Sequence, residues 1–534
     1  MIKSIYHLHP EKNWMNDPNG PAFFGGQFHM FFQHNPFAPV WGNMTWGHAV
    51  SPDMVRWKLL PNALHPDMWY DKDGVFSGCC VVKDDTPHII YTGTNPETQC
   101  LAIGDKDGKR FIKYESNPIL VKNKEDKRNG WRDPYVIKEP DGNYTLLIGT
   151  GAGGNESGES GESENKDAGN GGAGIGNTGG AYVEQYAGDN LIHWTYKGRF
   201  CEIGRLPWRN AWNDTMWECP VVAQGNDGEA ALFVSAIPGG VVHEITGRYE
   251  GGIFTPAYGR NADLGDSFYA PNIMRHPDGR WILYGWMCEL GTQDARAEQG
   301  WQGMLTLPRE LFFRDGRLYM RPAAETGALR EKRLLNVKNV KSVGGATGQH
   351  YELVARYITG GGYVEFELLR DCEGNCVKLS IDAAGARLTR SMAIAGGAPE
   401  ILCSADEIYI CETDGRGSDG REPSGRGSDR CETGGRGLDG CRSCGNVSDG
   451  SGSDGCGLDE YGSDGQIPGG RGPGEERQIR IFVDGTAIEA YFDSCRTLTT
   501  RAYPHDGCTE LRVNAVDGAV IDSLEVYQMG NCYI

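Results

Sequence analysis

Four segments of this chain obey one spacing rule. In NDPNGPAFFGGQFHMFFQ, RDPYVIKEPDGNYTLLIG, ECPVVAQGNDGEAALFVS and YAPNIMRHPDGRWILYGW, a proline (Pro18, Pro134, Pro220, Pro271) precedes a short apolar run. A glycine (Gly26, Gly142, Gly228, Gly279) follows eight residues after the proline, and a second apolar run comes next. Strand, tight turn, strand is a β-hairpin. FSGCCVVKDDTPHIIYTG is a looser fifth copy, with Gly78 in the proline's place and Thr86 in the glycine's. The residues just before these positions are 17, 77, 133, 219 and 270, in steps of 60, 56, 86 and 51. The long step shrinks to 56 once the thirty-residue tract 151–180 is set aside. Five units of this length, each headed by a hairpin, predict an all-β chain beginning with a five-bladed β-propeller, because four-stranded blades recur at such periods. A β-sandwich with coincidental hairpins explains neither the spacing nor the step.

The 534 residues exceed one ordinary core and imply more than one domain. Much of the excess of 78 glycines lies in two tracts, 151–180 and about 412–478, both rich in Gly, Ser, Asp and Glu. Such tracts bury too little apolar surface to offset chain entropy and read as disordered insertions. The expected division is a propeller over 1–321, a short helical linker over 322–345 and a second domain over 346–534. A net charge of −20 excludes nucleic acid and anionic membranes as natural partners. The sequence opens MIKSIYHLHPEKNW, without the apolar segment of a secretory signal, so the expected location is cytoplasmic. The 17 cysteines are irregularly spaced and are expected to be free thiols. The one Cys-x-x-Cys pair, Cys441 and Cys444, has no partner pair at zinc spacing, and neither metal nor cofactor is implied.

The repeat changes the meaning of its acids. Equivalent residues of a radial repeat lie at equivalent places about the axis. Asp17, Asp133 and, one residue early, Glu218 mark three of the five repeat starts, so three carboxylates should ring one mouth of the channel. Two opposed carboxylates across a small substrate are the equipment of glycoside hydrolysis, one ionised and one protonated. Glu218, between Trp217 and Cys219–Pro220, has the more apolar local sequence and is expected to have the raised pKa. Asp17, beside Asn16 and Asn19, is expected to stay ionised. Aromatic, amide, hydroxyl and guanidinium side chains suited to a sugar accompany them: Gln33, Trp41, Phe76, Ser77 and Arg132. Trp46 and Trp57 read as packing residues, Trp41 as an exposed loop residue and His48 as a structural hydrogen-bond partner.

The motifs WMNDPNG, FSG, WRDP, WECP, FYAP, GRWILYGWM and WQGMLTLPREL resemble, in order, those of glycoside hydrolase family 32, the β-fructofuranosidases. IRIFVDGTAIEAYFD and LTTRAYP are similar to strands of that family's C-terminal domain. The resemblance implies a five-bladed propeller followed by a β-sandwich, and retaining hydrolysis of terminal β-fructofuranosyl groups of sucrose or sucrose 6-phosphate. It implies Asp17 as nucleophile, Glu218 as acid/base and Asp133 as transition-state stabiliser. Asn16, Gln33, Trp41, Phe76, Ser77 and Arg132 are implied to line the sugar pocket, with Tyr269 and Trp286 as further members. Retention requires the two carboxyls to stand about 5–5.5 Å apart. Fructan exohydrolysis and fructosyl transfer would use the same covalent intermediate. A non-catalytic sugar-binding propeller would need no opposed acid pair.

Overall fold

The computed structural model describes residues 3–122, 128–152, 180–208, 212–290, 300–391, 474–504 and 507–534. Residues 153–179 of the first tract, most of 412–478 and the pair Cys441/Cys444 lie outside the described residues. Among the described residues the helices are two short 3₁₀ turns, and no helix is long and apolar enough to cross a membrane.

The chain is a β-propeller followed by a β-sandwich. The described residues up to 322 form successive sheets, each built on an antiparallel meander of strands. The strands that head them are Asn13–Phe24, Val75–Lys83, Asn129–Lys138, Met216–Gln224 and Tyr269–Arg275. Each lies against the head strand of the next sheet, and the last lies against the first. The predicted glycines sit in the hairpin turns with φ of +75°, +90°, +79° and +96° at Gly26, Gly142, Gly228 and Gly279. That left-handed backbone is the reason glycine is needed there. The looser copy turns on Asp84 and Asp85, both at positive φ, rather than at Thr86.

The segment 301–305 ties the ring's ends together. Trp301–Gln302 pairs in parallel with Asn13–Trp14, and Met304–Leu305 pairs with Trp286–Met287. Between them Gly303, at φ +81°, presses so closely that a Cβ would stand 1.8 Å from the carbonyl oxygen of Met15. Trp46 and Trp57 are buried, as their packing role requires.

The expected helical linker differs in detail. Only Ala324–Leu329 is helical, and Arg330–Val340 is already a strand of the sandwich, paired along Ile521–Met529. The charged run Arg-Glu-Lys-Arg hides this strand from a sequence reading: it lies at the edge of a six-stranded sheet, where charged residues face water and blunt the edge. A five-stranded sheet packs opposite, sharing a core of Leu353, Ile481, Ile488 and Val526 with Phe366, Leu379 and Val513.

Candidate active site

Every head strand breaks its ladder at a matching place. Residues 16–17, 76–77, 133–134, 219–220 and 270–271 each stand as two against one residue of the neighbouring strand. Bulges of this kind bend the strand and re-aim side chains. Asp133, Cys219 and Ala270 take φ of +64°, +47° and +46° there, a conformation that costs a residue with a Cβ about 1–2 kcal/mol. In the first two units the phase slips by one from the sequence alignment: Asn16 and Phe76, not Asp17 and Ser77, align with Asp133. In the first unit the extra residue is absorbed by a second bulge at 20–21. Gly20 permits it, because a Cβ there would lie 2.6 Å from the Cys80 backbone nitrogen.

The bulges bring the three acids together. Asp17, half-buried, accepts hydrogen bonds from Asn16 Nδ2 at 2.9 Å and from Ser77 Oγ at 2.6 Å. Asn16 is itself held by Trp14 Nε1 at 2.7 Å. Burial pushes the Asp17 carboxyl up to about 6. Its two hydrogen bonds oppose that rise, and the nearby Glu218 charge adds to it. Of the two asparagines expected to keep Asp17 ionised, Asn16 donates to it, joined by Ser77 rather than Asn19, and burial outweighs both. Asp133, buried, accepts from the Cys219 backbone N–H at 3.1 Å. Burial first, then the Glu218 charge, push it up to about 8 against the pull of Arg132.

Glu218 does not sit among its apolar sequence neighbours. Its Oε1 accepts from Arg132 Nε at 2.8 Å and lies 2.7 Å from Arg132 Nη2, while Oε2 accepts from the Tyr269 hydroxyl at 2.8 Å. Two N–H groups converge on Oε1, so a proton on this carboxyl must reside on Oε2, where a hydroxyl can turn to accept it. The guanidinium and the phenol, brought from other sheets, make its surroundings polar.

The remaining predicted residues adjoin this cluster through Val75, Phe76 and Tyr269. Trp41 is 44% exposed and meets Phe76 edge-on at 5.9 Å. Gln33 is buried and donates to the Val75 carbonyl. Trp286 packs edge-on against Trp14 and Tyr269, and its buried indole N–H has no protein acceptor. His48 shares a ring-to-ring hydrogen bond of 3.0 Å with His29, away from the acids.

Two site residues escaped the sequence reading. The Cys219 thiol lies 3.7 Å from Asp17 Oδ2 and 3.5 Å from Asp133 Oδ2. Burial and the surrounding carboxylates push its pKa well up, which keeps it a donor. Glu97 accepts from Arg132 Nη1 at 2.7 Å. Cys219 occupies a repeat-start position and was legible there. Glu97 precedes the third strand of its sheet, and no repeat position marks it.

The sequence profile of the glycosyl hydrolases family 32 N-terminal domain matches residues 7–160 and 172–322, more than half of the chain, and that of the family 32 C terminal matches 448–528. The chain belongs to glycosyl hydrolase family 32. It is 34% identical over 350 residues to the sucrose-6-phosphate hydrolase of Zymomonas mobilis, covering 61% of this chain and 63% of that one. It is 34% identical over 353 residues to a raffinose invertase of Escherichia coli, covering 61% and 66%. The matched part is thus less than two thirds of the length of these family 32 relatives. Fructan 1-exohydrolase IIa of Cichorium intybus has the same fold, with a TM-score of 0.72 at 18% identity over 100% of this chain and 98% of that one.

Proposed function

We propose that the five sheets are the blades of a five-bladed propeller and that its mouth hydrolyses terminal β-D-fructofuranosyl groups with retention. The supporting observation is the pairing of Asp17 and Glu218. They come from different sheets, meet at Cys219, whose thiol reaches Asp17 and which follows Glu218 in the chain, and hold different partners. Asp17 is the nucleophile: its carboxylate attacks the anomeric carbon while Ser77 and Asn16 fix its two oxygens. Glu218 gives its Oε2 proton to the leaving oxygen, then takes a proton from the water that releases the sugar. Asp133, neutral near pH 7, binds the ring hydroxyls and steadies the transition state. Asn16, Gln33, Trp41, Phe76, Ser77, Arg132, Tyr269 and Trp286 form the walls.

Sucrose and sucrose 6-phosphate are the proposed substrates, in keeping with what the relatives are called. A second reading, hydrolysis of longer fructosides or transfer to a sugar acceptor, is favoured by the loop between strands Gln27–Asn35 and Thr45–Ser51. There Phe37 is 77% exposed in the same loop as Trp41, a platform on which a further sugar ring can stack. The purified protein should be offered sucrose, sucrose 6-phosphate, raffinose, inulin and levan, with fructose and transfer products measured. Release from the disaccharides at least tenfold faster than from the polymers supports the first reading, and the reverse order supports the second. No fructose from any of the five overturns both.

A further inference from the structure

Arg132 serves two carboxylates at once. Its Nε and Nη2 converge on Glu218 Oε1, and its Nη1 is bonded to Glu97 Oε1 at 2.7 Å. Each of the three side chains is about one-fifth exposed, so their mutual fields are only partly screened. Glu97 is placed there by a buried network rather than by chance contact. Two residues on, Gln99 donates to the Trp131 carbonyl at 2.9 Å and accepts from Thr92 Oγ1 at 2.9 Å. Thr92 Oγ1 in turn accepts from the Asp133 backbone N–H at 3.0 Å. Thr92 and Gln99 are fully buried. The start of the strand Thr98–Gly104 is thereby locked against the strand that carries Arg132 and Asp133.

We propose that Glu97 is a positioning residue that tunes the acid/base carboxyl of Glu218 by sharing the charge of Arg132. This rests on the acid/base role given to Glu218 above. The guanidinium is divided between two carboxylates, so its pull on Glu218 is weaker than an undivided Arg132 would exert. The same bond keeps Nη1 turned away, so that only Nε and Nη2 reach Oε1 and the proton stays on Oε2. The other charged or titratable groups around Glu218 are Asp17 on the first head strand, Asp133 on the third, Cys219 beside it and Tyr269 on the fifth. Glu97 touches none of them in this structure and acts through Arg132.

Glu97→Gln keeps a hydrogen-bond acceptor and removes the charge. Arg132 then favours the ionised form of Glu218 alone. The alkaline limb of the pH profile for sucrose hydrolysis should move about 0.5–1 unit toward acid, and kcat at pH 8 should fall about 3–10-fold. KM should stay within about twofold, since Glu97 meets no substrate. Glu97→Asp, which restores the charge, should bring the limb back at least half-way. Thermal unfolding of each variant guards against a folding defect. An unmoved limb in a folded Gln variant overturns the inference, as does a loss that lies in KM alone. The wild-type protein is assayed beside it: an inactive wild type strikes the proposed function instead. In that case titration of the carboxyl-carbon NMR signal of Glu218 in both proteins still decides, with a lower midpoint in the variant expected and an equal one overturning the inference.

Discussion

Asp17 carries two opposed demands, since a nucleophile must be ionised and the burial that shapes its pocket resists ionisation. With the carboxyl pushed up to about 6, kcat/KM should fall as pH drops below about 6, by about tenfold per unit. Asp17→Asn should lose several orders of magnitude in kcat while sucrose still binds, and near-wild-type turnover would remove the assignment. Glu218→Gln should cripple both steps, yet sodium azide, which attacks without needing a base, should raise turnover of a fructoside with a good leaving group and give fructosyl azide of retained configuration. Asp133 offers a test on stability. Its folded pKa, about 8, lies above the unfolded value of 3.8, so the folded state holds the proton longer and stability falls as pH rises from about 4 to 8. Asp133→Asn should therefore unfold at higher temperature than wild type, with a gain that grows across that window and then levels off, while kcat drops about 10²–10³-fold. The three acids were legible because they stand at repeat starts. Their ionisation was not, because Asn16 and Asn19 report the local sequence, whereas burial and the Glu218 charge are set by other sheets.

The bulge is the element on which the site depends. A regular head strand would alternate its side chains between the faces of the sheet. Two residues set against one let Asn16 and Asp17, or Phe76 and Ser77, both reach the mouth. The prolines at 134, 220 and 271 fill the second bulge position, where a ladder N–H is dispensable. Hairpins could be read from the Pro-to-Gly spacing since that spacing encodes the turn. The bulges could not, because two of their positive φ values fall on Cys219 and Ala270, residue types with no preference for that conformation. The strand Arg330–Val340 was missed for a related reason: edge charges mask its alternation. A sharper element is the bridge 301–305, where Gly303 has no room for a side chain beside the Met15 carbonyl. Gly303→Ala should cost at least about 2 kcal/mol, combining a backbone clash with a left-handed alanine. Chemical denaturation measures the loss, and a variant of wild-type stability would show that this bridge does not hold the ring. Met15 precedes Asn16, so the same variant should lose kcat in its folded fraction.

At the scale of the whole molecule, the propeller and the sandwich are joined by charge as well as by packing. The segment 5–7 lays three successive backbone N–H groups on the Asp484 carboxylate, at 2.8, 2.8 and 2.9 Å. His7 bridges Asp484 at 2.9 Å and Glu489 at 3.0 Å, and Arg309 from the last propeller sheet bonds both Asp263 and Glu489 at 2.8 Å. Burial disfavours charge on His7, but its bonds to the two acids outweigh that and push it up to about 9. Burial likewise opposes charge on the acids, yet their partners hold Asp484 well below the usual range and bring Glu489 down to about 2. The stabilisation from His7 is complete below its unfolded value of 6.5 and is lost as pH rises through 9. That from the two acids is complete above about 4.5 and is lost as pH falls toward 2. The joint should hold best between about pH 5 and 6.5, near the pH at which Asp17 becomes ionised. Asp484→Ala leaves His7 buried without its first partner and should cost about 3–5 kcal/mol. His7→Gln should cost less, and the two changes together should fall short of their sum by more than about 1 kcal/mol, because they break one network. The His7→Gln deficit should shrink as pH rises through 9, where the wild-type imidazole loses its proton. A deficit that is constant from pH 5 to 10 would mean that His7 acts by shape alone, and the pH dependence of the joint would then have to come from Arg309 and the acids.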